Sequence, residues 1–181
     1  MDSIAESALI VAVPQAESLV ERFRMQYDPS AAAGVPAHVT VLYPFKPPHE
    51  LNAEVIQSLQ ELFSGLQPFS AVLGETRRFP SVLYLAPEPD EEFRMLTRLV
   101  FERFPDTPPY GGQFAEVIPH LTVADVADAQ QLEPIAADFA GPAKTGLPIH
   151  FRVSEITLIE NSSGVWRIRE HIALGTKSAS G

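Results

Sequence analysis

The 181-residue sequence contains no cysteine. Disulfide staples, thiolate metal sites and a cysteine nucleophile are thereby excluded, and nothing points to an oxidising compartment. A cytoplasmic location is the expectation. Positive charge is also scarce: 13 Lys and Arg stand against 23 Asp and Glu, for a net charge of −10. Proteins that hold long nucleic acid neutralise many phosphates with basic clusters, so long RNA or DNA is not an expected partner. A small phosphorylated or nucleotide ligand remains open, because a local group such as Lys46, Arg77 and Arg78 can hold one or two phosphates. Long apolar runs are missing too. The stretch from Ala8 to Val13 is far shorter than a membrane span or a signal-peptide core with its basic flank, so no membrane association and no targeting segment are expected.

What is present suffices for one core: 45% of residues are apolar, and the length is that of one ordinary domain. Residues 1–175 read as a single domain, a monomer by default, followed by a small polar tail at 176–181. Within it one pattern is written twice. Leu9 to Val13 reads as a strand, and Ala16, Leu19, Val20 and Phe23 recur at helical spacing as far as Tyr27. His38 to Tyr43 is β-branched and aromatic, hence a strand. Leu51 to Phe63 is a helix and Phe69 to Phe79 a strand. The second copy runs Val82–Pro87, a helix over 91–104, a strand over 117–124, a weaker helix over 127–139 and a strand from Ile149 to Glu160. Val165 to Leu174 adds a hairpin partner across Asn161–Gly164. The expected fold is α+β: two pseudo-symmetric β-α-β-α-β lobes (repeats over about 8–80 and 81–174) with mainly antiparallel sheets around a central cleft.

Equivalent strands of two such copies carry equivalent side chains into one cleft. Here those are His38-Val39-Thr40 and His120-Leu121-Thr122. In a strand, residues i and i+2 share a face, so each histidine lies beside its threonine while Val39, Val41, Leu121 and Val123 face the core. A single His-x-Thr in a strand is most often a half-buried histidine; recurrence at the same place in two copies of one strand–helix order shifts the balance toward function. Phosphodiester chemistry needs a base, an acid, and donors for the phosphoryl oxygens. Histidine, with a pKa near 6.5, serves as either acid or base, and the threonine hydroxyls donate. The sequence does not say which ring is which. No metal is expected: there is no His-x-His or His-x-x-x-His spacing, and Asp125 and Asp128 are the only nearby carboxylates. No cofactor is expected either. His49, His150 and His171 lack a threonine two residues on and read as ordinary histidines. Tyr43, Phe45 and Tyr110 are candidates to stack a base. Trp166 reads as hairpin packing, Phe114 as an anchor, and Pro105 to Gly112 as a connection or a lid.

The segments Pro36-Ala37-His38-Val39-Thr40-Val41-Leu42 and Ile118-Pro119-His120-Leu121-Thr122-Val123-Ala124 resemble the paired motifs of the two-histidine phosphoesterase superfamily, which includes bacterial 2′-5′ RNA ligases and cyclic phosphodiesterases. The resemblance spans about residues 8–174. It implies two lobes about a cleft, acid–base roles for His38 and His120, phosphate-holding roles for Thr40 and Thr122, and metal-independent opening of 2′,3′-cyclic phosphates or related phosphodiesters. Many ligase-type members resemble His-x-Thr-x-x-Arg at the second motif; here Asp125 takes the arginine's place, and Lys46, Arg77 or Arg78 are the candidates to replace the cation. The alternatives are 2′-5′ ligase-type activity on RNA ends, a nucleotide- or phosphate-binding protein without turnover, and a protein-interaction module using the sheet face.

Overall fold

Alternation of apolar residues decides which face of each strand is covered, and in this chain both faces find cover. Residues 4–175 are described in a computed structural model; the tail expected at 176–181 lies outside them. The strands are β1 (Ser7–Ala12), β2 (His38–Leu42), β3 (Phe69–Arg78), β4 (Val82–Glu88), β5 (Leu121–Asp125), β6 (Ile149–Val153), β7 (Glu155–Glu160) and β8 (Arg167–Ala173). The helices are α1 (Glu17–Tyr27), α2 (Pro29–Ala32), α3 (Ala53–Ser64), α4 (Asp90–Arg103) and α5 (Leu132–Gly146). The α+β class holds. All eight strands join one sheet in the order β6-β3-β4-β5-β2-β1-β7-β8, each neighbouring pair antiparallel.

That order is symmetric about the β5–β2 junction, as the repeat requires. It also shows an exchange. The third strand of the first copy, β3, pairs with β4, the first strand of the second copy, while β7 pairs with β1. Each half of the sheet is therefore built from both halves of the chain. The run from Ile149 to Glu160, expected as one strand, is two. It breaks at Ser154: β6 lies on β3 at one side of the sheet and β7 on β1 at the other. A chain that passes between them through a single residue needs both sides of the sheet close together, so the sheet curls.

Leu9, Val11, Val39, Val41, Leu121 and Val123 face the helices in one core with Phe23, Phe93 and Phe139. Helix α1 offers Val20 and Phe23 to this core and leaves Ser18, Glu21, Arg22 and Gln26 outside, with Arg24 as a buried exception, largely the amphipathic division that its spacing predicts. Phe23 meets Phe139 of α5 edge to face at 5.0 Å. On α4, the Thr97 hydroxyl donates to the Val41 carbonyl at 2.7 Å. Asn52 caps α3 by accepting from the Val55 amide, as short polar side chains do at helix starts. On the other sheet face, Ala8, Ile10, Val35 and Ile159 form a smaller cluster against which Tyr43 and Trp166 pack.

Phe93 is fully buried between Phe69 of β3 at 5.3 Å and Phe151 of β6 at 6.4 Å, where a helix of the second copy meets the exchanged strand of the first. Phe93→Ala is expected to cost about 3–5 kcal/mol of unfolding free energy, as large-to-small changes of buried aromatics do. Urea denaturation checks this; a loss under about 1 kcal/mol would show that the exchanged strand is not held by this packing.

Candidate active site

The two motif strands meet at one antiparallel pair, Val39 opposite Leu121. Both side chains are fully buried on the helix side, so their neighbours in sequence face the other way. Continued one residue in each direction, the antiparallel register sets His38 across from Thr122 and Thr40 across from His120. His38 opens β2, whereas His120 immediately precedes β5, because the regular strand starts at Leu121 rather than at 117 as expected. The flanking strands repeat the arrangement. Ile10 pairs with Thr40 and Val11 with Val39 on one side; Tyr84 pairs with Thr122 and Leu85 with Leu121 on the other. Each ladder is irregular at the next step, between Leu9 and Ile10 and between Leu83 and Tyr84.

Both imidazoles are held in one way. His38 Nδ1 lies 2.7 Å from the Pro36 carbonyl oxygen, and His120 Nδ1 lies 2.7 Å from that of Ile118. A carbonyl only accepts, so each Nδ1 carries the proton and donates it. The neutral rings thus keep an unprotonated Nε2 with a free lone pair. Glu17 of α1 accepts from the Ala37 amide at 2.6 Å and fixes the backbone just before His38.

A cavity of about 290 Å³ opens on this face. His38, Thr40 and Thr122 line it with Tyr43, Tyr110, Asp28, Ser30, Asp125, Ile159 and Trp166. His120 packs beside it in an aromatic corner, edge-on to Phe79 at 5.2 Å and to Tyr84 at 5.6 Å. Of the expected base-stacking residues, Tyr43 and Tyr110 are in place, 6.4 Å apart. Tyr43 donates to Glu6 at 2.7 Å; burial and that carboxylate push its phenol up to about 12. Tyr110 has a left-handed backbone (φ 50°), and its amide donates to the Tyr43 carbonyl at 2.6 Å. Burial raises its phenol, opposed by the neighbouring Thr40 hydroxyl. A non-glycine residue in this region is disfavoured and is kept where surroundings over-determine it.

The other candidates lie elsewhere. Phe45 is buried in the main core, edge-on to Phe104 at 5.1 Å, where it cannot stack a base. Lys46 is held by Asp106 at 2.7 Å. Arg77 is tied to Glu75 at 2.9 Å and borders a separate cavity, and Arg78 pairs with Glu133. Phe114 is exposed and touches Tyr110 at 5.6 Å instead of anchoring a loop. Trp166, expected as hairpin packing, lines the cleft 6.2 Å from Tyr43. Asp28 and Ser30 were not singled out in the sequence, although Asp28-Pro29-Ser30 is a helix-start signature. Buried Asp28 caps α2 through the Ser30 amide and receives Arg24 Nε at 3.0 Å. Among the described residues no group of three or more His, Asp or Glu converges as a metal site would require.

Burial drives the electrostatics. It pulls His38 down to about 4, helped by the charges of Arg24 and His120 and opposed by the Pro36 hydrogen bond and Asp28. It lowers His120 as well, against the Ile118 hydrogen bond and the carboxylates Asp125 and Asp28. Asp125 is raised by burial and by Asp28, with His120 opposing.

Two histidines and two threonines squared across a pseudo-two-fold junction define a class of acid–base sites suited to phosphoryl transfer. The chain belongs to the 2′-5′ RNA ligase superfamily, the two-histidine phosphoesterases, whose family model matches residues 12–164. It is 26% identical over 166 residues to a Bacillus licheniformis protein named "Putative phosphoesterase", covering 88% of this chain and 92% of that one. A Bacillus pumilus protein of the same name is 27% identical, covering 88% and 91%. Among solved structures, Escherichia coli LigT complexed with 3′-AMP matches with TM-score 0.61 at 18% identity over 94% of this chain and 98% of that one. TT0787 of Thermus thermophilus matches with TM-score 0.62 at 20% identity over 95% and 100%. These two share the fold. No helix among the described residues is long and apolar enough to cross a membrane.

A histidine held neutral in the fold leaves the unfolded chain binding more protons between the folded and unfolded pKa values, so stability rises with pH across that window. For His38, between about 4 and 6.5, acidification is expected to remove up to about 3 kcal/mol, from a shift of about two and a half units. Urea melts of wild type and His38→Gln at pH 7 and 4.5 check this; the carboxylates titrate in both proteins, so an identical pH dependence would contradict it.

Proposed function

We propose that the protein is a phosphoesterase that hydrolyses a 2′,3′-cyclic phosphate or a related small phosphodiester, without a metal, by two-histidine acid–base catalysis. The observation that supports this most is the paired register about Val39 and Leu121, with both Nδ1 atoms tied to backbone carbonyls. His38 Nε2 takes a proton from water as the water oxygen bonds to phosphorus. Protonated His120 gives its proton to the ribose oxygen as the phosphorus–oxygen ester bond breaks. Thr40 and Thr122 donate to the phosphoryl oxygens, where charge accumulates.

The roles follow from the surroundings. Burial lowers both rings; Arg24 and His120 disfavour a proton on His38 against the opposing Asp28, whereas Asp125 and Asp28 favour one on His120, and on that balance we take His38 as the base and His120 as the acid. Tyr43, Tyr110 and Trp166 give a base aromatic edges and faces to pack against. A cavity of about 290 Å³ sits at the lower limit of ligand pockets, roughly 300–1,000 Å³, which favours a mononucleotide over a long chain. The LigT complexes with 3′-AMP and NADP+ agree with a nucleotide ligand. A second reading, a nucleotide-binding protein without turnover, draws on Asp125, a carboxylate where a phosphate-binding cation is wanted.

Hydrolysis of the four nucleoside 2′,3′-cyclic phosphates in EDTA decides between them. Turnover is expected, with kcat reduced about 10²–10⁴-fold by His38→Ala or His120→Ala while circular dichroism is unchanged. Either variant retaining full rate would sink the two-histidine mechanism, and tight binding by wild type without product would establish the binder. The role assignment carries its own pH signature. The kcat/KM of the free enzyme is expected to peak on the acid side of 6.5, with an acid limb near 4 from His38 and an alkaline limb from His120 below its ordinary value. A peak above pH 7.5 would contradict it.

A further inference from the structure

Among the described residues that line the cleft there is no lysine or arginine. Among the described residues lining it, the charged ones besides the histidine are Asp28 and Asp125. Arg24 is 3% exposed and ion-paired with Asp28, its Nε held by that carboxylate and its Nη2 by the Ser30 hydroxyl and the Val35 carbonyl. Asp125 has no hydrogen-bonded or ion-paired partner among the described residues, and it is exposed at the end of β5. Lys46 is engaged with Asp106 and Glu50, and Arg78 with Glu133. The whole chain carries −10.

A phosphodiester brings one negative charge, which a single proton on the histidine pair balances. A phosphomonoester brings close to two at neutral pH, and a cleft with an unpaired carboxylate has nothing to set against them. We infer that Asp125 fixes the substrate class: the cleft takes a singly charged phosphodiester whose remaining part offers hydroxyl or amino donors, and turns away molecules that carry a second phosphate. This rests on the two-histidine reading of the cleft. Hydroxyl and amino groups suit the other side of the same carboxylate, since an ionised Asp is an acceptor with several free lone-pair sites. The same charge hastens departure of the phosphomonoester product. At separations of about 10 Å and an effective dielectric of about 20, each added negative charge is expected to weaken productive binding about tenfold or more.

The experiment compares kcat/KM for adenosine 2′,3′-cyclic phosphate and for its 5′-phosphorylated form, with wild type, Asp125→Asn and Asp125→Lys. Wild type is expected to prefer the unphosphorylated substrate at least about tenfold, less so in high salt. Asp125→Asn should bring the ratio to within about threefold and Asp125→Lys should reverse it. Both variants slow the reaction itself, because Asp125 favours the proton on His120, so the ratio is the readout. Equal rates in wild type, or a ratio that Asp125→Asn leaves unchanged, overturns the inference. If wild type turns over neither compound, the catalytic reading fails first, and calorimetry with the same two cyclic phosphates decides. Tighter binding of the unphosphorylated one that Asp125→Asn abolishes upholds the charge selection in a binding cleft; no preference, or no binding of either, overturns it.

Discussion

One backbone contact organises this molecule: the antiparallel meeting of β2 and β5 at Val39 and Leu121. It is short, a single ladder pair between strands whose outer neighbours β1 and β4 are longer. Both side chains are buried among the helices, so the register is pinned from the apolar side. A slip of one residue would turn Val39 and Leu121 to the cleft and the histidines into the core, which the period-two geometry of strands makes costly. Core packing thus fixes which residues of β2 and β5 present their polar side chains to the cleft.

The two histidines are equivalent in backbone geometry and unequal in electrostatics. Their Nδ1 contacts match at 2.7 Å, and their strands pair identically with Ile10 and Tyr84 as counterparts. The difference comes from what each half adds: a buried Arg24–Asp28 pair behind one ring, and Phe79, Tyr84 and the carboxylate of Asp125 around the other. Duplication provides two similar groups; burial lowers the proton affinity of both, and the charges set around each ring differ.

Most of the fold and the heart of the site are legible in the sequence because they rest on local periodicity. Val39 and Val41 alternating with His38 and Thr40 give the strand and its polar face at once, and the second motif repeats the message. Long-range facts are not legible. The run from Ile149 to Glu160 has no proline or glycine, and the place where the chain leaves one side of the sheet for the other is marked only by the adjacent polar pair Ser154-Glu155, which shifts the apolar alternation from Ile149, Phe151 and Val153 to Ile156 and Leu158. Lys46 and Arg78 look available until Asp106 and Glu133, some 55 to 60 residues away in sequence, arrive beside them. Trp166 sits one residue past a turn, and only the pairing of β7 with β1 brings that turn over the cleft. Gly34, with φ 101°, approaches the Trp166 carbonyl so closely that an added Cβ would lie 3.1 Å from it, a constraint between two loops that no local pattern records.

The exchange of β3 and β7 between the two halves bears on how the chain comes to function during synthesis. The amino-terminal motif strand appears early, but β1 beside it gains its second neighbour only when residues 155–160 have been made, and β8 must follow to cover that edge. Contacts so distant in sequence form late and slow folding. Neither copy of the repeat is a self-sufficient half, so the sheet that carries the cleft is complete only once β7 and β8 have paired with strands made much earlier.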